Sequence, residues 1–533
     1  MTVGKSPASA ELFHSPRELC EPKLGARSIY RLLAEQGQRL FADEAFADLF
    51  EDVGRRSVPP RIVATVMVLQ RLEGASDREA VDRFAFDLRW KYAAGVGLDY
   101  PAFVHTVLVD MRARLRDSER PNRIFDAVVE MAKGAGLVGR KRVLDSTALY
   151  DAVATQDTVT MLRSALRMLL QAADDTLGAM LRGALTREDD YGSAGKPTCN
   201  WDDAAAREAL VDALARDGYA VLALVDGREL TEAVSQAAAL LATVLGQDLE
   251  KRDDGIFRIA RRVAADRVIS TVDPEARHGH KTAARGFDGY KGHIAVDPDS
   301  EIITSTEVTA GNAGDATVAE VLLKDVLPPP AQTSAPAAPA PNEAHRVETA
   351  EVYGDASYGT AELVEKVEAA GIEANMKVQP PSPPRVGMFS QDDFAVDTQN
   401  GTVTCPRGVL VMLRSAANGS QVADFDDHCE GCPMRPQCTA SKEGRSVRLH
   451  PKHAVLDRAR KRQRDPSWRA RYRSTRPKVE RKIAHMMRRK HGGRRARMRG
   501  RLRVGHDFAL LAAAINLARL ALLGVRLGAT EAT

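Results

Sequence analysis

The stretch VETAEVYGDASYGTAELVEKVEAAG, Val347 to Gly371, decides the reading of the fold. Its apolar residues first run together at Ala350 to Tyr353, as in a short strand. They then recur three and four apart at Leu363, Val364 and Val367, as on one face of a helix. Between the two lie Asp355 and a turn of small residues, with Ser357 or Thr360 placed to cap the helix. A carboxylate where a strand hands over to a helix is a common holder of a metal ion or a phosphate, although most aspartates in such turns serve only the turn.

Working outward, KRVLDSTALYDA repeats the pattern: Val143 and Leu144 close a short apolar strand, and Asp145 stands at its end. YKGHIAV (Tyr290–Val296) and IITSTEV (Ile302–Val308) alternate with period two around the turn Asp297-Pro298-Asp299-Ser300, which predicts a hairpin. A helix over Ala316–Val326 and a last strand over Ala374–Val378 follow, and the low-complexity run Pro328–Pro341 reads as an exposed, mobile loop. The order is strand, helical insertion, hairpin, helix, strand, helix, strand. That is an α/β pattern, a mixed sheet with helices on its faces. If the strands ending at Asp145 and Asp355 are neighbours, the two carboxylates face each other. Asp315 competes for the second position, but it precedes a helix and reads better as an N-cap. Asp297 and Asp299 read as turn residues.

The flanks are helical. From Ser28 to about Gly136, Arg61–Leu72, Asp77–Phe86 and Asn122–Ala132 each carry apolar residues at helical spacing. Pro59-Pro60 marks the start of the first, and Ser76 with Glu79 is a capping box for the second. A second helical stretch runs from Thr158 to Arg261, and its stripe of Met161, Leu162, Leu166, Leu169, Leu170 and Leu177 reads as core packing.

Charge is unevenly spread. Pro451 to Gly505 holds 22 Lys and Arg against 3 Asp and Glu, a surplus of 19 in a chain whose net charge is +4, so the remainder carries 4 − 19 = −15. A basic block in an otherwise acidic protein points to a polyanion, here nucleic acid. The first twenty residues hold no apolar stretch of the signal-peptide kind, and the longest apolar run, Phe508 to Val525, is interrupted by Asn516 and Arg519. That run reads as a buried helix, and a cytoplasmic location without membrane contact is expected. Four of the six cysteines fall at Cys405-x23-Cys429-x2-Cys432-x5-Cys438. In a reducing compartment four thiols at such spacing suit a tetrahedral structural zinc, with His428 as a possible substitute ligand.

Within the basic block, Glu480 is the one acid between Asp465 and Asp507, on a predicted helix Arg476–Lys490 that opens with Pro477. An intrahelical pair with Arg476 is its plainest role. Two strand-end aspartates and this glutamate form an all-oxygen donor set suited to two magnesium (or manganese) ions, which promote in-line phosphoryl transfer.

In these residues the chain resembles the DDE-type transposases of bacterial insertion sequences. The resemblance rests on the helical segment from Gly54 (GRRSVPPRIVATVMVLQRLEG), on VLDSTAL, on DGYKGHIAVD with VTAGNAGDA, on YGDASYG, on RPKVERKIAH and on the closing RGRLRVGHDFALLAAAINLARL. It implies an RNase H-like catalytic fold, with Asp145, Asp355 and Glu480 as catalytic metal ligands. Relatives commonly place tyrosine three residues before the arginine and lysine seven after the glutamate. Here Tyr472 lies four before Arg476, and Met487 holds the lysine position. The implied organisation is a helical DNA-recognition or assembly domain (1–136), a catalytic domain begun at 137–157, a helical insertion (158–262), catalytic residues again (263–380), a small Cys-rich insertion (381–450) and basic helices completing the catalytic domain (451–533). DNA contacts are expected from Arg476, Lys482, Arg488, Arg489, Lys490, Arg494 and Arg495, on one basic helical run from Arg458 to Arg503. The implied partners are double-stranded DNA at terminal inverted repeats and at the target, met by a homodimer. The rival readings are a non-catalytic zinc-containing DNA-binding protein and an RNase H-like nuclease that cuts without joining.

Overall fold

A computed structural model describes residues 1–2, 15–153, 155–189, 191–282, 284–328 and 349–526. The Pro/Ala-rich run lies outside the described residues from 329 onward. The architecture is mixed α/β, organised on a six-stranded sheet.

That sheet is built from β1 (Lys141–Tyr150), β2 (Arg277–Thr282), β3 (Arg285–Val296), β4 (Ile303–Ala310), β5 (Glu351–Gly354) and β6 (Glu373–Met376). β3 lies between β1 on one side and β4 with β2 on the other, all antiparallel, while β1, β5 and β6 run parallel. Across the sheet the order is therefore β4–β3–β1–β5–β6, with β2 extending the β4 edge. The hairpin appears as expected, closed by Asp297, whose carboxylate accepts from the backbone of Asp299 and Ser300. Asp297 is more than a turn residue: it is buried, accepts from Gly139 N, and lies 3.7 Å from Arg142.

A strand and a helix differ from expectation in length. β1 does not end at Asp145 but runs to Tyr150, because β3 pairs with it from Val143 to Tyr150. Only the parallel partner stops early: β5 pairs over Lys141–Val143, and Val143 faces Tyr353. The predicted helix Ala316–Val326 shrinks to a 3-10 turn, Asp315–Val318, and one turn of α-helix, Ala319–Leu322.

Helix α1 (Pro60–Glu73) starts with proline in its first turn, and the next helix, α2 (Asp77–Phe86), begins with the full Ser76–Glu79 capping box. These N-terminal helices have no core of their own. Their apolar residues join those of the hairpin, of the basic C-terminal helices and of the last helix, Arg501–Leu523, in one cluster. Polar links cross the same junction: Arg71 lies 2.9 Å from Asp507 and donates to His491 O at 2.5 Å. Gly74 sits so close that an added Cβ would stand 2.5 Å from Lys490 O. The helices between Thr158 and Asp248 pack around a separate apolar cluster.

Arg501–Leu523 is, among the described residues, the one helix long and apolar enough to cross a membrane by length and composition. Its 18-residue apolar window is 67% buried, and Asn516 is fully buried against β4, as in the core helix of a folded domain.

The basic run is not one helix. It divides into His453–Arg464, Pro466–Thr475 and Pro477–Met486, because each proline lacks the N–H that a continuing helix would need and starts a new first turn instead.

Candidate functional site

Parallel pairing of β1 with β5 fixes the level of both aspartates. Val143 faces Tyr353, and two residues further on Asp145, still within β1, and Asp355, just past the end of β5, both come within reach of one guanidinium. Beyond Asp355 the turn is tight: Gly359 lies so near the backbone after β6 that an added Cβ would stand 1.8 Å from Lys377 O. Thr360 then caps the helix Ala361–Ala369 by accepting from Leu363 N, and Asp355 accepts from Ser357 N.

The third acid arrives from the basic C-terminal helices. Tyr472, stacked on Trp468 at 4.9 Å, donates its hydroxyl to Gly354 O and so ties the helix Pro466–Thr475 to the end of β5. Arg476 follows at the junction with Pro477–Met486, and Glu480 stands one turn later. Arg476 gathers all three acids. Its Nη2 lies 2.9 Å from Asp145 Oδ1 and 3.8 Å from Asp355 Oδ2, and its Nη1 lies 3.3 Å from Glu480 Oε1.

Burial grades the three. The Asp145 side chain is 14% exposed, Asp355 40% and Glu480 62%. Burial raises the Asp145 pKa above the ordinary carboxylate range, and the adjacent Arg476 offsets only part of that. Arg476 itself is held more strongly protonated than usual: burial opposes its charge, but Asp145 and Asp355 outweigh it. The donor set is hard, anionic and all oxygen, the chemistry a divalent magnesium or manganese ion takes. With the carboxylates drawn to the guanidinium, no group of three or more His, Cys, Asp or Glu among the described residues is spaced to hold an ion.

Behind Asp145 lies a polar network with no counterpart among the sequence expectations. Ser146 donates to Asp315 at 2.7 Å, and Lys291 reaches the other Asp315 oxygen at 2.9 Å. Asp315 is thus not an N-cap: Gly314 occupies that position, and the Asp315 carboxylate is buried in an ion pair. His293, fully buried, bridges Tyr358 and Thr309, and burial lowers its pKa to about 4.

Of the expected DNA-contacting cations, Arg488, Arg489, Lys490, Arg494 and Arg495 are exposed. The segment around Arg494 and Arg495 runs beside the end of β1, where Tyr150 N donates to Arg494 O. Two expectations need correction. Arg476 is buried on the acids, and Lys482 is 3% exposed beside Glu301 at 3.6 Å, its pKa lowered to about 8 by burial. Neither lies on the surface where a phosphate could meet it. The signals that could have found these burials are weak: apolar Val479 and Ile483 flank Lys482, and Arg476 sits between Tyr472 and Glu480 on the inner face.

The four cysteines Cys405, Cys429, Cys432 and Cys438 are free thiols, and all four line one small cavity of about 20 Å³ with Phe394, Phe425 and His428. Burial raises the Cys438 thiol pKa, Arg445 pulls it down, and the three other thiols push it up again.

Comparison with known families fits this picture. A family described as "Transposase DDE domain" matches residues 404–521, the segment from the first clustered cysteine through Glu480 into the last helix. A second, "Transposase domain (DUF772)", matches residues 21–114, within the N-terminal helices. No curated protein and no solved structure matches the chain. Both matched segments are transposase domains, and together they indicate a DDE-type transposase of an insertion-sequence family.

Proposed function

We propose that the chain excises an insertion sequence at its terminal inverted repeats and transfers the freed 3′-hydroxyl ends into target DNA. Its family makes DNA the substrate and the chain an enzyme of the transposase or nuclease type. The finer reading is carried by one observation: Asp145, Asp355 and Glu480, from three distant parts of the sequence, all reach the same guanidinium. The sheet order β4–β3–β1–β5–β6, with the first three strands antiparallel and the last two parallel to β1, supports an RNase H-like catalytic fold.

In this reading Asp145, Asp355 and Glu480 hold magnesium or manganese, two ions at a time. When bound, such ions activate the attacking oxygen and stabilise the leaving one. The chain's own residues do the rest. Asp145 and Asp355 are fixed by strand register, and Glu480, the most exposed of the three, faces the substrate side. Arg488, Arg489, Lys490, Arg494 and Arg495 neutralise DNA phosphates near the site. Tyr472 and Gly359 keep the Asp355 turn in place.

The proposed organisation is a recognition and assembly segment (1–136), a catalytic fold in two parts (137–157 and 263–380) closed by 451–533, a helical insertion (158–262) and a Cys-rich insertion (381–450). A homodimer would pair the two element ends. For the Cys-rich insertion we take the four thiols, which line one small cavity without being spaced to hold an ion as they stand, to draw together on a structural zinc.

The test is a set of single substitutions, Asp145→Asn, Asp355→Asn and Glu480→Gln, in the full chain with paired element ends and a target plasmid. Each variant is expected to keep end binding and lose strand cleavage. Retained cleavage by Asp145→Asn would sink the assignment. Cleavage without joined product in the parent protein would make it a nuclease, and end binding without either reaction would make it a binder alone.

A further inference from the structure

Arg476 is bound differently from the buried Arg123 and Arg142, although Arg71, Arg445 and Arg460 also leave Nε without a hydrogen bond. Arg123, with a side chain 4% exposed, makes two bonds to Asp48 and further ones to Ala45 O, Arg120 O and Ser118. Arg142 likewise spends its guanidinium on Asp325 and on the carbonyls of Gly139 and Lys141. Both are structural, with each nitrogen employed. Arg476 is as deeply buried, 6% exposed, yet its Nε and Nη1 make no hydrogen bond. Its binding is ionic and loose, spread over three carboxylates at 2.9, 3.3 and 3.8 Å instead of forked onto one. A planar guanidinium has five donors in a fixed fork and normally uses them when buried.

We propose that Arg476 is an internal counter-ion. It holds the three acids together while the protein is metal-free, and it leaves them when a divalent ion binds. The inference rests on the reading of Asp145, Asp355 and Glu480 as metal ligands. Three carboxylates converging without a cation would repel one another, and a single guanidinium neutralises one of three negative charges. The site therefore stays assembled but remains strongly attractive to a doubly charged ion. Arg476 is thus a positioning residue for the three acids.

The experiment measures Mn2+ binding to the full chain by electron paramagnetic resonance of the free ion, alongside thermal unfolding with and without Mn2+. Arg476→Ala is expected to bind Mn2+ about tenfold more tightly than the parent, having lost its competitor. It should also melt lower without metal and gain more from Mn2+. Arg476→Lys keeps the charge but cannot span three acids, so it should fall between the two. If Arg476→Ala does not fold, the lysine variant's tighter Mn2+ binding carries the same test. Mn2+ affinity unchanged or weaker in a folded variant overturns the counter-ion role. Asp145→Asn separates the two layers of the argument. If it abolishes Mn2+ binding while the arginine variants change nothing, the metal site stands and the counter-ion falls. If it leaves Mn2+ binding intact, the metal-site reading itself falls.

Discussion

Asn516 offers the sharpest test of how the last helix serves the sheet. It sits in the middle of an otherwise apolar stretch and is fully buried. Its Oδ1 accepts from Ile303 N at 2.9 Å and its Nδ2 donates to Ile303 O at 2.7 Å, so one amide closes both backbone groups of the first β4 residue. Asn516→Ala removes both partners and leaves a buried N–H and a buried C=O unpaired, since Ile303 is itself fully buried. Each unpaired group costs about 1–3 kcal/mol, so a loss of about 2–6 kcal/mol is expected. Against a typical stability of about 5–15 kcal/mol that is a severe loss. Asn516→Leu refills the volume but restores neither hydrogen bond, and it should be nearly as damaging. Leu522→Ala, on the exposed side of the same helix, should change stability by less than about 0.5 kcal/mol. Urea unfolding followed by circular dichroism reads all three. An Asn516→Leu protein within about 0.5 kcal/mol of the parent would refute the reasoning, because it would mean that the amide does no bonding that an apolar side chain cannot replace.

Other consequences are checked separately. The buried His293 has its pKa lowered to about 4 from 6.5, so the unfolded chain takes up a proton that the folded one refuses. Its stabilisation is complete above pH 6.5 and is lost as the pH falls toward 4, an effect on the order of 3 kcal/mol; in an equilibrium unfolding series, His293→Gln should flatten this part of the profile. Gly359→Ala, whose Cβ would collide with Lys377 O, should lower the melting temperature by several degrees and impair cleavage beyond its effect on end binding. Replacing Arg494 and Arg495 together by alanine should reduce the slope of log affinity against log salt by about 1 to 2 while leaving sequence preference intact, measured by fluorescence anisotropy. Zinc released on thiol modification should reach one ion per chain and fall to none in Cys432→Ser with Cys438→Ser, read by a chromogenic chelator.

Much of the site was legible because its parts follow local rules. The strand end before Asp355, the period-two hairpin and the Ser76 capping box are each written in a few consecutive residues, and the structure has all three. What could not be read depends on partners remote in sequence. β1 outruns its local pattern at Asp145 because the long β3 strand supplies pairing as far as Tyr150. Lys482 looks like a surface cation until Glu301, in the hairpin turn, draws it inward. Asp315 has the position of a cap, yet Lys291 and Ser146 claim its carboxylate. In each case local propensity, which is worth tenths of a kcal/mol, yields to a buried ion pair or a ladder of backbone bonds.

The shared core explains how acids from distant parts of the chain come together. The first helices have no separate core, and the last helix fills the space between them and the hairpin. The basic helices enter that core through Trp468, Tyr472, Val479, Ile483 and Met486. Glu480 therefore reaches β1 and β5 only once the C-terminal segment has docked on both the sheet and the N-terminal helices. Arg71, bonded to His491 O and paired with Asp507, locks the same docking from the other side. Loosening that lock, as in Arg71→Ala, should reduce cleavage even though Arg71 pairs with Asp507 and not with the three site acids, because Glu480 would lose its place before Asp145 and Asp355 lose theirs. A variant that melts lower yet cleaves at the parental rate, at a temperature where it is fully folded, would show that Glu480 is positioned by Tyr472 and the sheet alone.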